Sequence, residues 1–114
     1  MKQYAFNDYP SGLLRTSALD FAALIGALSS RRNPRLSPKF THSLEDERLF
    51  IRSAEVGGVP AFEHNGNEAG VIASFCYRED GSGWFYAANG EFADDAKYWS
   101  FKGHLEARLL EEAP

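Results

Sequence analysis

Three histidines and one cysteine are the residues of this chain that could do metal or nucleophilic chemistry, and their spacing favours neither. His42, His64 and His104 lie far apart and show none of the His-x-His, His-x-x-x-His or Cys-x-x-Cys spacings of zinc sites. Cys76 stands between two aromatic residues in a strand-like stretch, which is typical of a small buried hydrophobic residue. We therefore predict no catalytic residue, no metal and no cofactor, and leave the question of an enzyme open.

The densest polar group in the sequence lies around a predicted hairpin turn. It consists of Glu63, His64 and Asn65, with Glu68 three residues further on. Carboxylates beside an imidazole could bind a metal ion or act as acid and base. A solvated hairpin tip explains the same residues without any chemistry, and this is the interpretation that we favour.

Acidic and aromatic residues are concentrated in the second half of the chain. The acids at or near predicted turns are Glu63, Glu68, Glu79, Asp80, Glu91, Asp94 and Asp95, and nine aromatic residues lie between positions 75 and 101. A small core holds only some of these rings, because buried Trp and Tyr need partners for their polar atoms. We expect the acids together with Trp84, Tyr86 and Trp99 to form a surface that binds a protein partner.

The charge of the chain is unevenly distributed. The net charge is -4, yet residues 1–39 carry six lysines and arginines against two acids. Four of these cations, Arg31, Arg32, Arg35 and Lys39, lie in or beside a predicted loop. They could grip the phosphates of a nucleic acid, although a helix end and a solvated loop account for them equally well.

Turn signals in the second half predict a β-meander. They are Gly57-Gly58, Asn65-Gly66, Asp80-Gly81 and Asn89-Gly90, and they separate predicted strands at residues 48–56, 59–64, 69–78 and 84–88. Within residues 71–78 the side chains alternate between two faces, as expected of a half-buried strand. The meander supplies four antiparallel strands.

Two helices are predicted on either side of the meander. Ser17-x-x-Asp20 resembles a capping box, and the apolar residues Phe21, Leu24, Ile25 and Leu28 recur on one face of a helix over residues 18–30. Residues 33–46, with two prolines, are interpreted as a loop containing a short helical turn near Ser43. Residues 96–113 favour a C-terminal helix, with a fifth strand at residues 97–101 and a shorter helix from Gly103 as the alternative.

These elements define an α+β fold in a single domain, residues 1–114, with the N-terminal helix packed on a four- to five-stranded antiparallel meander and the C-terminal helix beside it. No apolar run reaches the roughly 18 residues of a membrane span. The N-terminus lacks the apolar region of a secretory signal and there is a single cysteine, so we expect a cytoplasmic protein. The oligomeric state stays open.

The leading functional hypothesis is a small non-enzymatic binding protein, an inhibitor or adaptor, that occupies a macromolecular partner. By analogy in size and acidity, a phage- or mobile-element-encoded inhibitor of a nucleic-acid-handling complex, such as an anti-CRISPR, is one instance. The first alternative is a small enzyme or small-molecule binder, with His64, His104 or Glu63 converging in a pocket between sheet and helix. Several of Phe75, Tyr77, Trp84, Tyr86 and Trp99 would line this pocket. The second alternative is nucleic-acid binding through residues 31–39.

Overall fold

The described residues of the protein, in a computed structural model, are 16–30, 36–46, 51–68, 70–90 and 92–112. Within these ranges the elements are α1 (Ala18–Ser29), α2 (Pro38–Glu45), β1 (Arg52–Val56), β2 (Val59–Glu68), β3 (Val71–Arg78), β4 (Gly83–Asn89) and α3 (Asp95–Glu112). The strands form one antiparallel sheet in the order β1-β2-β3-β4. The predicted α+β class, with a meander between an N-terminal and a C-terminal helix, is confirmed.

Helix α1 begins at the capping residue that the sequence predicts. The Asp20 backbone N–H donates to the Ser17 hydroxyl oxygen (3.1 Å), which satisfies one of the free donors of the first turn. Three residues of the predicted apolar stripe, Phe21, Ile25 and Leu28, are buried. Leu24 is the exception, with 40% of its surface exposed, so the buried face is narrower than the stripe.

Helix α2 replaces most of the loop that the sequence predicts over residues 33–46. Ser37 accepts a hydrogen bond from the Phe40 N–H (3.1 Å), and Pro38 occupies the first turn, where its missing N–H costs nothing. Leu44 is buried against the core. The helical turn predicted near Ser43 lies in this helix, which is longer than predicted because Ser37-Pro38 starts it earlier.

The second hairpin turn lies later in the chain than the sequence predicts. β2 continues through Asn65-Gly66, with Asn65 opposite Ser74 of β3, and the chain reverses only after Glu68. The Ser74 hydroxyl donates a hydrogen bond to the Asn65 side chain (2.7 Å), a contact across the extended strand pair. Gly70, with a φ of 78°, supplies the left-handed residue at the reversal. The turn predicted at Asn65-Gly66 is therefore wrong.

The other turn signals agree with the structure, with one difference in role. Gly57-Gly58 joins β1 to β2, and Asp80-Gly81 lies in the connection from β3 to β4. Asn89-Gly90 ends β4 without starting another strand. The Gly90 N–H donates to the Gly70 carbonyl (2.9 Å), which ties the end of β4 to the preceding hairpin turn.

Residues 97–101, left between helix and strand by the sequence, lie in helix α3. Its first turn is capped by Asp94, whose carboxylate accepts a hydrogen bond from the Lys97 N–H (2.9 Å). Tyr98 and Lys102, one turn apart, are the buried residues of this helix. Gly103 lies on the exposed side, so its missing side chain removes no packing.

Helices α1 and α3 cover opposite faces of the sheet. Side chains alternate along β3 as predicted, so Phe75 and Cys76 point to opposite faces. Phe85, the cross-strand partner of Phe75, stacks on Phe21 of α1 with ring centroids 4.4 Å apart. On the other face, Lys102 of α3 reaches β2. The two helices do not lie side by side, and β3 is covered on both faces rather than half-buried.

The two interfaces of the sheet differ in polarity. The layer under α1 and α2 is the apolar core, formed by Phe21, Ile25, Leu28, Leu44, Ile51 and Tyr77 with Leu36, Phe62, Phe75 and Phe85 packed against them. The layer under α3 contains buried polar and charged residues, among them Glu63, Ser74 and Lys102. The polar layer is the unusual feature, because buried charges must be paired to be tolerated.

Candidate functional site

The acidic residues expected to form one surface are divided between the two ends of the sheet. Glu79 and Asp80 lie at the connection between β3 and β4, whereas Glu68 ends β2 at the opposite end of the sheet. Asp94 and Asp95 lie at the start of α3. The length of this 18-residue helix separates them from its other end, which packs on Gly57. The structure therefore places Glu68, Asp94 and Asp95 toward one end of the sheet and Glu79 and Asp80 at the other, and Glu91 lies outside the described residues. The role of these acids in partner binding stays a prediction.

Glu63 is buried and paired, which removes it from any exposed acidic surface. Its carboxylate accepts one hydrogen bond from the Arg52 Nε (2.9 Å) and one from the Lys102 Nζ (2.9 Å). Lys102 also donates to Glu106, one turn later in α3. These four residues, here called the ion network, contain two cations and two anions. The expectation of an exposed Glu63 at a solvated hairpin tip is wrong because β2 does not turn there.

The surroundings of the ion network favour a charged Lys102 and neutral neighbouring side chains rather than proton transfer. Burial disfavours the ammonium of Lys102, but the hydrogen bonds to Glu106 and Glu63 outweigh it, and the pKa of Lys102 is raised. Burial, reinforced by the charge of Glu63, raises the pKa of the neighbouring Cys76 thiol to about 12. Burial also raises the pKa of Tyr86. At neutral pH the lysine is charged and the thiol and phenol are neutral, which are their unreactive forms.

The raised pKa of Lys102 predicts how stability depends on alkaline pH. A cation whose pKa is higher in the folded state stabilises the fold fully below its ordinary value of 10.5, and this contribution is lost as pH rises through the folded pKa. The Cys76 thiol and the Tyr86 phenol, whose pKa values are also raised, lose stability in the same direction. The free energy of unfolding, measured in urea from pH 8 to 11, is therefore expected to fall above about pH 9 and more steeply above about pH 10. A Lys102→Met variant is expected to show a smaller fall, with the remainder due to Cys76 and Tyr86. An equal fall in both proteins would contradict the prediction.

Of the three aromatic residues predicted for the surface, Trp99 is the exposed one. It keeps 48% of its surface exposed, whereas Trp84 and Tyr86 are half-buried. The guanidinium of Arg52 lies over the Trp99 ring, 5.5 Å from its centroid, in a cation–π contact. Arg52 is in turn held by Glu63. The ion network therefore contacts the exposed Trp99 ring through Arg52.

The described residues form a cavity of about 490 Å³ between α1 and the sheet, and its lining includes Phe75 and His64 of the first alternative. The first alternative therefore stays a prediction, although its other rings do not join this cavity. Phe75 and Tyr77 point to the face under α1, whereas Trp84 and Tyr86 point to the face under α3. Trp99 lies on the exposed flank of its helix. Because strand side chains alternate between faces, no single cavity can collect these five rings.

The polar residues proposed for that pocket do not converge either. Glu63 and His64 are consecutive in β2 and point to opposite faces, and His64 is exposed with its ring centroid 6.1 Å from that of Phe75. His104 is exposed on α3, with its Nδ1 2.7 Å from the Ser100 carbonyl oxygen. His104 thus lies apart from Glu63 and His64, which both line a cleft of about 310 Å³ beside Arg52.

The basic residues of the second alternative fall almost entirely on residues that the structure does not describe. Arg31, Arg32 and Arg35 are among them. Lys39 is exposed in the first turn of α2. The nucleic-acid hypothesis stays a prediction.

A groove of about 990 Å³ lies between the C-terminal half of α3 and the two turns at that end of the sheet. Residues that line it include Gly57, Arg78, Asp80, Trp84, Leu109 and Leu110. The Arg78 guanidinium donates to the Ser82 hydroxyl (2.9 Å) and pairs with Asp80 (3.0 Å). Hydrogen bonds from Ser82 also lower the pKa of Asp80. Sequence reasoning missed Arg78, and the available signal was an arginine at the end of an otherwise uncharged strand.

Comparisons with protein-family models, with curated proteins and with solved structures gave no match to this chain. Among the helices described above, none is long and apolar enough to cross a membrane. Across the described ranges, no three histidine, cysteine, aspartate or glutamate side chains are grouped so that they could hold a metal ion. Function is therefore inferred from the surfaces and grooves of the chain itself.

Proposed function

We propose that this chain is a small non-enzymatic protein-binding module, acting as an inhibitor or adaptor, that contacts its partner through the surface around Trp99. The observation that carries the proposal is a tryptophan that is nearly half exposed and is contacted by a charged neighbour. Tryptophan is enriched among the residues that contribute most to protein interfaces, because it buries a large area at a small cost in conformational entropy.

The Trp99 surface consists of Trp99, Arg52 and Asp95. Asp95 is exposed and lies four residues before Trp99 in α3, so the two side chains are neighbours on the helix. Arg52 adds a half-exposed cation on the β1 side of the ring. The aromatic ring can make apolar contacts while the acid and the base on either side of it form ion pairs with the same partner. This combination suits the hydrophobic centre and polar rim of an interface.

Rigidity favours this surface over the other exposed apolar residues of the described chain. Association costs free energy when side chains must be ordered, and a side chain that is already held loses less. Arg52 contacts the ring and is itself bonded to the buried Glu63. Phe101, which is 37% exposed, points to the other flank of α3, where it packs against Phe92 (5.2 Å between centroids). The proposal therefore commits to the Trp99 flank.

Replacing Trp99 with alanine is expected to weaken partner binding by about 30-fold or more, the effect of losing a major interface residue. Partners are first captured from an extract of the cells in which the chain is made, and binding of each is then measured by calorimetry with the purified variants. Only a partner whose binding depends on Trp99 supports the proposal.

The matched control is Leu19→Ala. Leu19 is an apolar residue with 83% of its surface exposed, on α1 at the opposite face of the sheet, so its loss tests whether any exposed apolar side chain has the same effect. The control is expected to bind like the wild type. Equal affinity of the Trp99→Ala and Leu19→Ala proteins, or the absence of any stoichiometric partner, would overturn the proposal.

A further inference from the structure

The groove beside the C-terminal half of α3 contains two buried hydrogen-bond donors without an acceptor in the described part of the chain. They are the Nε of Arg78, a residue that is 7% exposed, and the indole Nε1 of Trp84. Both residues line the groove. A buried donor without an acceptor is costly and rare in folded proteins, so each such group points to a missing partner.

Both terminal nitrogens of Arg78 already have a partner within the chain. One terminal nitrogen donates to Ser82, and the other pairs with Asp80. The charge of the guanidinium is therefore neutralised within the chain, and Glu112 adds a negative charge at the rim of the groove. These acids would repel a carboxylate or phosphate ligand, whereas they would not repel an uncharged acceptor.

The groove also has an apolar part. Leu109, Leu110 and Trp84 line it together with the glycines Gly57 and Gly83. Apolar walls around a few fixed donors are the usual composition of a binding site for an uncharged organic group. A peptide segment offers both parts, an apolar side chain and a backbone carbonyl.

We propose that this groove binds an uncharged peptide segment, with an apolar side chain against Leu109 and Leu110 and a backbone carbonyl accepting hydrogen bonds from Arg78 Nε and Trp84 Nε1. Because both nitrogens are buried, uptake is coupled to a small movement of the neighbouring side chains. The groove lies at the end of α3 away from Trp99. Trp99 and Leu110, which lines the groove, are about 16 Å apart along the helix axis. The inference does not depend on the Trp99 surface.

The test is a titration followed by ¹H–¹⁵N nuclear magnetic resonance, in which both Nε–H groups give their own signals. The probe is the blocked tripeptide acetyl-Ala-Leu-Ala-amide. The Trp84 and Arg78 Nε–H signals are expected to shift downfield and to saturate at about 1–10 mM, while the Trp99 indole signal stays in place. The Ser82 amide signal is expected to move with them.

Three results would overturn the proposal. The first is the absence of a shift, and the second is an equal or larger shift with sodium acetate, which would indicate an anion site. The third is a shift with protein concentration alone, which would indicate a second copy of the chain in the groove. A Trp84→Phe variant, which keeps an aromatic ring and loses the donor, is expected to bind the tripeptide about 3- to 10-fold more weakly. Unchanged binding by a folded Trp84→Phe protein would also count against the proposal.

Discussion

Replacing Lys102 with methionine is expected to lower the free energy of unfolding by about 3–5 kcal/mol, the usual cost of removing one partner from a buried ion pair. Lys102 is 6% exposed and donates to both Glu63 and Glu106. Methionine lacks only the terminal ammonium position and keeps the rest of the unbranched side chain, so the loss reports mainly the charge rather than a cavity. Both carboxylates would be left in a buried layer with only Arg52 to compensate them. Urea unfolding followed by tryptophan fluorescence measures the effect.

The matched control is Lys97→Met on the same helix. Lys97 is largely exposed and its Nζ lies 3.8 Å from the Asp94 carboxylate, so its pair is screened by water and is expected to contribute less than about 0.5 kcal/mol. A triple variant, Lys102→Met with Glu63→Gln and Glu106→Gln, removes the uncompensated charges and is expected to recover part of the loss. Similar stabilities of the Lys102→Met and Lys97→Met proteins would show that the ion network contributes little.

The elements that the sequence predicts well are those decided by neighbouring residues. Helix α1 follows from the Ser17 cap and an apolar stripe, and both lie within a dozen residues of each other. The turns at Gly57-Gly58 and Asp80-Gly81 follow from local backbone preference in the same way. The turn at Asn65-Gly66 has an equally strong local signal, but pairing with β3 over the full length of β2 stabilises the extended form.

The candidate sites were harder to predict because their residues are distant in the sequence. Lys102 meets Glu63 across 39 positions, and nothing near Lys102 distinguishes it from an exposed helix lysine. Trp99 was predicted for the surface, and the structure agrees. The acids predicted beside it were grouped by sequence distance, whereas successive turns of a meander lie at opposite ends of the sheet. Topology, rather than composition, decides which of them can act together.

Replacing Gly83 with alanine is expected to destabilise the fold by about 3 kcal/mol, the upper part of the range for an overpacked core. A Cβ at this position would lie 2.6 Å from the Ile25 Cγ2 and 2.7 Å from the Cys76 carbonyl oxygen. Neither atom can withdraw easily, because Ile25 is buried in the core and the Cys76 carbonyl belongs to the pairing of β3 with β4. The sequence suggests a turn glycine here, but Gly83 instead lets α1 approach the start of β4.

The control for this prediction is Gly66→Ala, since Gly66 is also a strand glycine. A Cβ there would have its nearest contact with the Ala73 carbonyl oxygen at 3.9 Å, an ordinary van der Waals distance. Alanine loses less conformational freedom than glycine on folding, so this variant is expected to gain about 0.5–1 kcal/mol. Both predicted changes in stability are measured as the urea concentrations at which the two variants and the wild type are half unfolded. If Gly83→Ala unfolds at the same urea concentration as the wild type, α1 does not pack on β4 as closely as described, and the apolar core between them is looser.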